Sequence, residues 1–114
     1  MTLSRYRSLL TAVSVTLLCA VATVSSSTAA AQDPPRIVVK DFMFAPNSLT
    51  VKTGATVTWT NMDDEPHTVV SDTGMFRSGA MDTNESFTFK FDKPGTYRFT
   101  CSIHPRMVGT IVVE

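Results

Sequence analysis

The chain is predicted to fold as an all-β sandwich or barrel, because three observations agree from residue 37 onward. Apolar and polar residues alternate with a period of two. The apolar positions are rich in β-branched and aromatic side chains, and turn signals recur about every eight to twelve residues. No apolar pattern of helical period has a useful length in this part of the chain.

The first strands are placed by this alternation. Two runs, at residues 49–51 and 56–60, flank a turn at residues 52–55. Val57 and Trp59 share one face of the second run, because successive side chains of a strand point to opposite faces. This face is expected to be buried, with the intervening threonines on the other side.

The later strands carry an aromatic face. A clear turn signal at residues 92–95 separates two of them, and a last strand is predicted at residues 108–114. On the two strands that flank this turn, every second residue belongs to the predicted inward face: Phe87, Phe89 and Phe91 on the first, and Tyr97, Phe99 and Cys101 on the second. Residue 101 therefore lies where the core meets one end of the sandwich.

The N-terminal segment has the organisation of an export signal rather than of a folded element. Arg5 and Arg7 form a short basic region, residues 9–24 form an apolar run, and alanines at 29–31 offer a small-residue cleavage site. The run is shorter than the ~20 apolar residues that a membrane span needs. We expect cleavage after Ala31, with a retained N-terminal anchor as the alternative.

Cleavage at this position divides the chain into an export signal (1–31), a short leader (32–36) and a β domain (37–114). The exported part contains eight basic and ten acidic side chains and no basic patch, so nothing indicates a nucleic-acid partner. We expect a periplasmic monomer without stable membrane insertion. An extracellular location, or attachment through an uncleaved N-terminus, is the alternative.

Cys101 is the single cysteine of the exported part, although an oxidising compartment favours paired cysteines. His104 and Met107 follow it closely, and His67 is the only other histidine in the chain. Two histidines, one cysteine and a distant methionine form the ligand set of a mononuclear blue-copper electron-transfer site. The sequence therefore predicts one copper ion, alternating between Cu(I) and Cu(II), with these four residues as ligands.

The same ligand set argues against other metal chemistry. Soft thiolate suits Cu(I) and imidazole binds either copper state, whereas catalytic zinc would not call for a methionine. A copper oxidase or nitrite reductase needs a second copper centre with further histidines, and both histidines of this chain are already assigned. We therefore do not expect an enzyme.

The segment Cys-x-x-His-Pro-x-Met at residues 101–107 resembles the short copper loop of amicyanin, and the domain resembles a small cupredoxin of the plastocyanin/azurin group. The resemblance extends to segments at 44–46, 56–61, 66–69, 76–79, 94–97 and 109–112. It implies an eight-stranded Greek-key β-sandwich. It also implies that the copper ligands are His67, Cys101, His104 and Met107.

Two residues depart from this family pattern. Many relatives carry asparagine after the first histidine, where its side chain braces the ligand loop, and this chain has Thr68. The backbone N–H of Thr68 can still donate to the Cys101 sulfur, but whether its hydroxyl braces the loop stays open. Asn84 stands where relatives often have a turn glycine, and asparagine tolerates the left-handed conformation.

The resemblance implies a mobile one-electron carrier between exported or membrane-bound partners. Its redox partner proteins would dock near His104, whose imidazole edge relatives expose within an apolar patch; Pro66, Pro105 and Met62 are candidates for that patch. A copper-binding or copper-delivery protein with the same ligands is the alternative. The acidic run at residues 63–65 is interpreted as a solvated loop, and the orientation of a partner by its charge is the alternative.

Overall fold

The computed structural model describes residues 14, 16, 19–26 and 33–114. The chain divides into two units, Met1–Ala30 and Ala31–Glu114, and the described residues of the first unit have no regular secondary structure. Most of the predicted export signal, its cleavage position after Ala31 and the first leader residue lie outside the described residues. Within the described ranges, no helix is long and apolar enough to cross a membrane.

In the part of the chain that the structure describes, eight strands, numbered in chain order, form two four-stranded sheets. They are β1 (Arg36–Lys40), β2 (Met43–Ala45), β3 (Ser48–Val51), β4 (Thr56–Asn61), β5 (Val70–Ser71), β6 (Ser86–Lys90), β7 (Gly95–Thr100) and β8 (Val108–Val113). One sheet has the order β2-β1-β4-β6 and the other the order β3-β8-β7-β5. The predicted eight-stranded β-sandwich is confirmed.

Each sheet contains one parallel pair of strands. In the first sheet β1 runs parallel to β4, with Ile37 opposite Trp59, and in the second β3 runs parallel to β8, with Leu49 opposite Ile111. The other pairs are antiparallel. Because a hairpin cannot join parallel strands, these pairings bring together segments that are distant in the sequence.

The core follows the predicted alternation, with one difference on β6. Val57 and Trp59 of β4 are completely buried, as is expected for one face of a central strand. Phe91 is buried, but Phe87 and Phe89 are only half-buried. β6 is an edge strand of its sheet, so its aromatic face receives cover from fewer neighbours than the face of β4.

Cys101 follows β7 directly and places its sulfur atom at one end of the core. Phe99 and Cys101 are completely buried, and Tyr97 is half-buried with its hydroxyl donating to the Lys93 carbonyl oxygen at 2.7 Å. The predicted inward series of this strand is therefore confirmed. Cys101 directly follows the last residue of the strand, Thr100.

The strand that follows His67 is short. β5 contains only Val70 and Ser71, because the N–H of Val69 donates to the Ser78 hydroxyl at 2.7 Å instead of to a neighbouring strand. The backbone of His67 pairs instead with that of Met81 in an isolated bridge, with hydrogen bonds of 3.1 and 2.8 Å. This bridge holds the histidine outside the two sheets.

Candidate metal centre

The side chains of His67, Cys101 and His104 converge at one pole of the sandwich. The Cys101 Sγ lies 3.8 Å from the Nδ1 atom of each imidazole, and all three donor atoms lie within 4.8 Å of one another. The two imidazole centroids are 4.9 Å apart. Residues that are 34 positions apart in the sequence thus form one cluster of nitrogen and sulfur donors.

Cys101 is a buried thiol with an unusual set of hydrogen-bond partners. Burial alone would raise the pKa of Cys101, because it penalises the charged thiolate. The N–H groups of Thr68 and Ile103, the Thr68 hydroxyl and the His104 ring outweigh that penalty and lower the pKa below its usual value. These contacts stabilise the thiolate, which is the form that binds metals.

His67 is completely buried, and one carboxylate fixes the direction of its ring. Its Nε2 lies 2.8 Å from the Oδ2 of Asp63. An ionised carboxylate only accepts hydrogen bonds, so the ring donates its Nε2 hydrogen there. Nδ1, which faces the Cys101 sulfur, then keeps a free lone pair for a metal ion.

Asp63 corrects the interpretation of residues 63–65 as a solvated loop. Asp64 and Glu65 are exposed, but Asp63 is only 6% exposed. Besides His67, its carboxylate accepts the N–H groups of Asp41 at 2.7 Å and Phe42 at 3.0 Å. Burial would raise the pKa of Asp63, but the N–H groups of Phe42 and Asp41 together with His67 lower it.

His104 lies on the loop of residues 101–107 and is the least buried of the three donors. The loop is closed by two backbone hydrogen bonds, from the Cys101 N–H to the Met107 carbonyl at 3.1 Å and from the Met107 N–H to the His104 carbonyl at 2.9 Å. The ring of Phe42 packs edge-on against the His104 ring at a centroid distance of 4.9 Å. The His104 imidazole is half-buried.

Met107, the fourth predicted ligand, is 5% exposed and lies at the end of the loop. Its backbone hydrogen bonds tie it to both Cys101 and His104, and it borders the same surface depression as His104. The thioether therefore belongs to this pole of the molecule. Its role as an axial ligand is part of the proposal below.

Thr68 braces the loop of residues 101–107, although it stands where many relatives carry asparagine. Its backbone N–H donates to the Cys101 sulfur at 3.3 Å, as predicted, and its hydroxyl oxygen accepts the N–H of Ser102 at 2.8 Å. Asn84, the second departure from the family pattern, has a φ of 67°. The left-handed conformation expected there is confirmed.

A mainly apolar surface that includes Phe42, Ile103 and Pro105 borders His104, and Arg106 adds one charge beside it. Phe42 and Ile103 are each 47% exposed and Met62 is 42% exposed. Pro105 is exposed as well, while Pro66 is half-buried. Phe42 was not among the residues predicted for this surface; the left-handed φ values of the turn at Asp41 and Phe42, 53° and 58°, direct its ring over the two histidines.

The three donors fit a metal ion in chemistry, and the two sulfur-to-nitrogen distances fit it in spacing. Donor atoms bound at about 2.0–2.3 Å to one ion in a trigonal plane lie roughly 3.6–3.8 Å apart, and both sulfur-to-nitrogen distances are 3.8 Å. One thiolate with two imidazoles is the equatorial donor set of a blue-copper site. The donor set alone therefore favours copper.

Comparison with known proteins agrees with the fold and the site. A family model described as a cupredoxin-like domain matches residues 10–113. The chain is 33% identical over 88 residues to amicyanin-alpha from Methylorubrum extorquens, covering 68% of this chain and 70% of that protein. It is 39% identical over 85 residues to plastocyanin from Scenedesmus fuscus, covering 63% of this chain and 87% of that one.

A solved structure shows the same architecture. The structure of an amicyanin variant in its Cu(I) form superposes with a TM-score of 0.69 at 30% identity, covering 75% of this chain and 86% of that one. Together with the His67, Cys101 and His104 cluster, these relatives confirm the expectation of copper as the cofactor. The matched family model spans nearly the whole chain, and the chain is a member of the cupredoxin family.

Proposed function

We propose that the protein is a mobile one-electron carrier of the blue-copper type. The observation that supports this most directly is the convergence of one thiolate and two imidazoles at a pole where a single imidazole edge reaches an apolar surface. Copper bound there supplies a centre that accepts and releases one electron with little rearrangement. In this proposal His67, Cys101 and His104 would hold the ion, and the Met107 thioether would be a fourth, weaker donor.

The protein's own contribution is to hold these donors and keep water away from them. Asp63 orients the buried His67 ring, and Thr68 restrains the loop after Cys101. The backbone bonds that close the loop restrict the movement of His104 and Met107. Donors held in this way have few alternative arrangements, which keeps the cost of reorganisation during electron transfer low.

The apolar surface around His104 is the proposed docking site for redox partners. Phe42, Ile103 and Pro105 give it apolar area beside His104, and Arg106 adds one positive charge at its border. Small contacts of this kind suit brief redox encounters, whose interfaces lie at the low end of the size range. We place the carrier outside the cytoplasm, in the periplasm, as a monomer whose N-terminal segment 1–31 is removed on export.

Visible and EPR spectra of the protein after addition of Cu(II) test the ligand assignment. We expect intense blue absorption and a narrow copper hyperfine splitting, both lost in Cys101→Ser. Cys19→Ser in the full chain is the matched control, because Cys19 is the only other cysteine and is exposed. A colourless or ordinary Cu(II) spectrum, or equal spectra for the two variants, would contradict the proposed site.

Copper transfer distinguishes the carrier from the copper-delivery alternative. A carrier keeps its ion through many cycles of reduction and oxidation, whereas a delivery protein gives up Cu(I) to an acceptor. We expect the reduced protein to retain copper when it is mixed with a Cu(I) chelator of moderate affinity, and to exchange electrons rapidly with its oxidised form. Fast metal loss together with slow electron exchange would favour delivery.

A further inference from the structure

The hydroxyl of Thr68 has contacts that its backbone role does not explain. Its Oγ1 lies 3.7 Å from the Cys101 sulfur and 2.8 Å from the Ser102 hydroxyl oxygen, and it accepts the Ser102 N–H at 2.8 Å. Thr68 is buried, whereas Ser102 is exposed. The Thr68 hydroxyl therefore lies between a buried sulfur and a hydroxyl that reaches solvent.

Counting hydrogens leaves two arrangements for this pair of hydroxyls. Oγ1 of Thr68 carries one hydrogen and two lone pairs, and the Ser102 N–H occupies one lone pair. If the Ser102 hydroxyl donates to the second lone pair, the hydrogen of Thr68 is free for the sulfur. If Thr68 donates to Ser102 instead, the sulfur receives no hydroxyl hydrogen.

The charge on the sulfur favours the first arrangement. A cysteine binds a metal ion as the thiolate, and hydrogen bonds to an ionised acceptor are about twice as strong as neutral ones. The Ser102 hydroxyl can donate to Thr68 without leaving its own oxygen unpaired, because that exposed oxygen can accept a hydrogen bond from water. The first arrangement also uses both lone pairs and the hydrogen of the buried Thr68 hydroxyl.

We propose that Thr68 donates two hydrogen bonds to the Cys101 sulfur, from its N–H and from its hydroxyl, with Ser102 directing the hydroxyl hydrogen inward. Thr68 and Ser102 are then positioning residues that set the reduction potential of the centre. This inference rests on the proposed function, because it concerns the redox behaviour of the same thiolate.

The direction of the effect follows from the charge that reduction adds. An added electron makes the metal–thiolate unit more negative, so a hydrogen bond donated to the sulfur stabilises the reduced state more than the oxidised state. Hydrogen bonding around the cysteine sulfur tunes the potential of blue-copper centres in this way. The hydroxyl of Thr68 thus raises the reduction potential.

Two substitutions separate the arrangements. Thr68→Val keeps the shape and the backbone N–H but removes the hydroxyl, so the equilibrium constant for reduction should fall about tenfold, a shift of about 59 mV for one electron. In Ser102→Ala the sulfur is the acceptor that remains near the Thr68 hydrogen. The shift in reduction potential should therefore be clearly smaller than that of Thr68→Val. The potentials of both variants are measured by voltammetry next to the wild type.

The opposite arrangement gives the opposite pattern, in which Ser102→Ala raises the potential and Thr68→Val leaves it unchanged. Either of these results would overturn the inference. Thr68→Ser is the matched control, since it keeps the hydroxyl and should keep the potential. A far-UV spectrum like that of the wild type confirms that each variant is folded.

Proton NMR of the Cu(I) wild type gives a second measurement that needs no substitution. The Thr68 hydroxyl proton should exchange slowly and lie closer to the β-protons of Cys101 than to those of Ser102. The reverse proximity would refute the inference, even if Thr68→Val failed to fold. If the copper-loaded wild type has no blue spectrum, the proposed function is refuted. If it is blue but its reduction potential does not change when the Thr68 hydroxyl is removed, this inference alone is refuted.

Discussion

At the scale of single residues, Asp63 connects the metal centre to the surface around it. One carboxylate accepts hydrogen bonds from the buried His67 ring and from the N–H groups of Asp41 and Phe42. The direction of a ligand ring and the position of an exposed aromatic ring therefore depend on the same side chain. Changing this carboxylate should affect both.

Asp63→Asn tests this connection. An amide has one accepting oxygen, so at least one of the three donors would face an NH₂ group. We expect a loss of about 1–3 kcal/mol in the free energy of unfolding and a roughly 10–100-fold weaker copper affinity. Urea unfolding of the copper-free protein and competition with a chelator measure the two effects.

Asp64→Asn is the control, because Asp64 is exposed and its change should alter neither quantity. The effect of Asp63 also depends on pH. Hydrogen bonds hold the pKa of Asp63 below its usual value, so its stabilisation is complete above about pH 4 and is lost as the pH falls through the folded-state pKa. Equal stability of wild type and Asp63→Asn at neutral pH would contradict the prediction.

Met107→Leu tests the axial ligand. Leucine fills a similar volume in this buried position, so the protein should still fold and bind copper. Loss of the thioether should raise the reduction potential, because it removes a donor that stabilises the oxidised state. Voltammetry measures the change, and Met81→Leu, at another buried methionine, should leave the potential where it was.

At the scale of elements, β7 and β8 form the hairpin that carries the ligand loop, and one close approach holds them in place. Phe99 lies opposite Gly109, and a Cβ added to this glycine would overlap Cζ of the ring and lie 2.6 Å from Cε2. The ring cannot easily move, because it packs edge-on against Phe44 at 4.8 Å and Trp59 at 5.4 Å. The absence of a side chain at residue 109 therefore leaves the space that the Phe99 ring occupies.

Gly109→Ala should lower the free energy of unfolding by about 1–3 kcal/mol through overpacking. Gly79→Ala is the matched control, since no atom lies within 4 Å of the added carbon and the backbone is not in the left-handed region. Thermal unfolding of both variants measures the difference. Equal unfolding temperatures for the two would mean that the aromatic cluster around residue 99 adjusts freely.

The elements also show why sequence reasoning found most of the site but not all of it. The alternation of β4 was followed only to its last threonine, yet Asn61 and Asp63 continue the buried series of Val57 and Trp59. If the alternation is extended by two further inward positions, to residues 61 and 63, it predicts the buried carboxylate of Asp63. Phe42 had no comparable signal, because turns with two left-handed residues normally contain asparagine or glycine and an aromatic residue there is rare.

At the scale of the whole molecule, hydrogen bonds between protein groups restrain each donor, through Asp63, Thr68 and the backbone of the 101–107 loop. Removing copper should therefore leave the far-UV spectrum nearly unchanged. The unfolding temperature should fall, because an ion that binds only the folded state stabilises it by mass action. Calorimetry with and without copper measures the shift, and Cys101→Ser should show little of it.

The distance in sequence between His67 and Cys101 has a consequence for the order in which the chain folds and binds copper. Before the sheets close, an extended chain offers copper the short fragment from Cys101 to Met107 without His67, which is 34 positions from the thiol. The complete donor set arises once β7 has found its neighbours and His67 is bridged to Met81. We therefore expect the polypeptide to fold first and to bind copper tightly only afterwards, so that tightly bound copper marks a folded molecule.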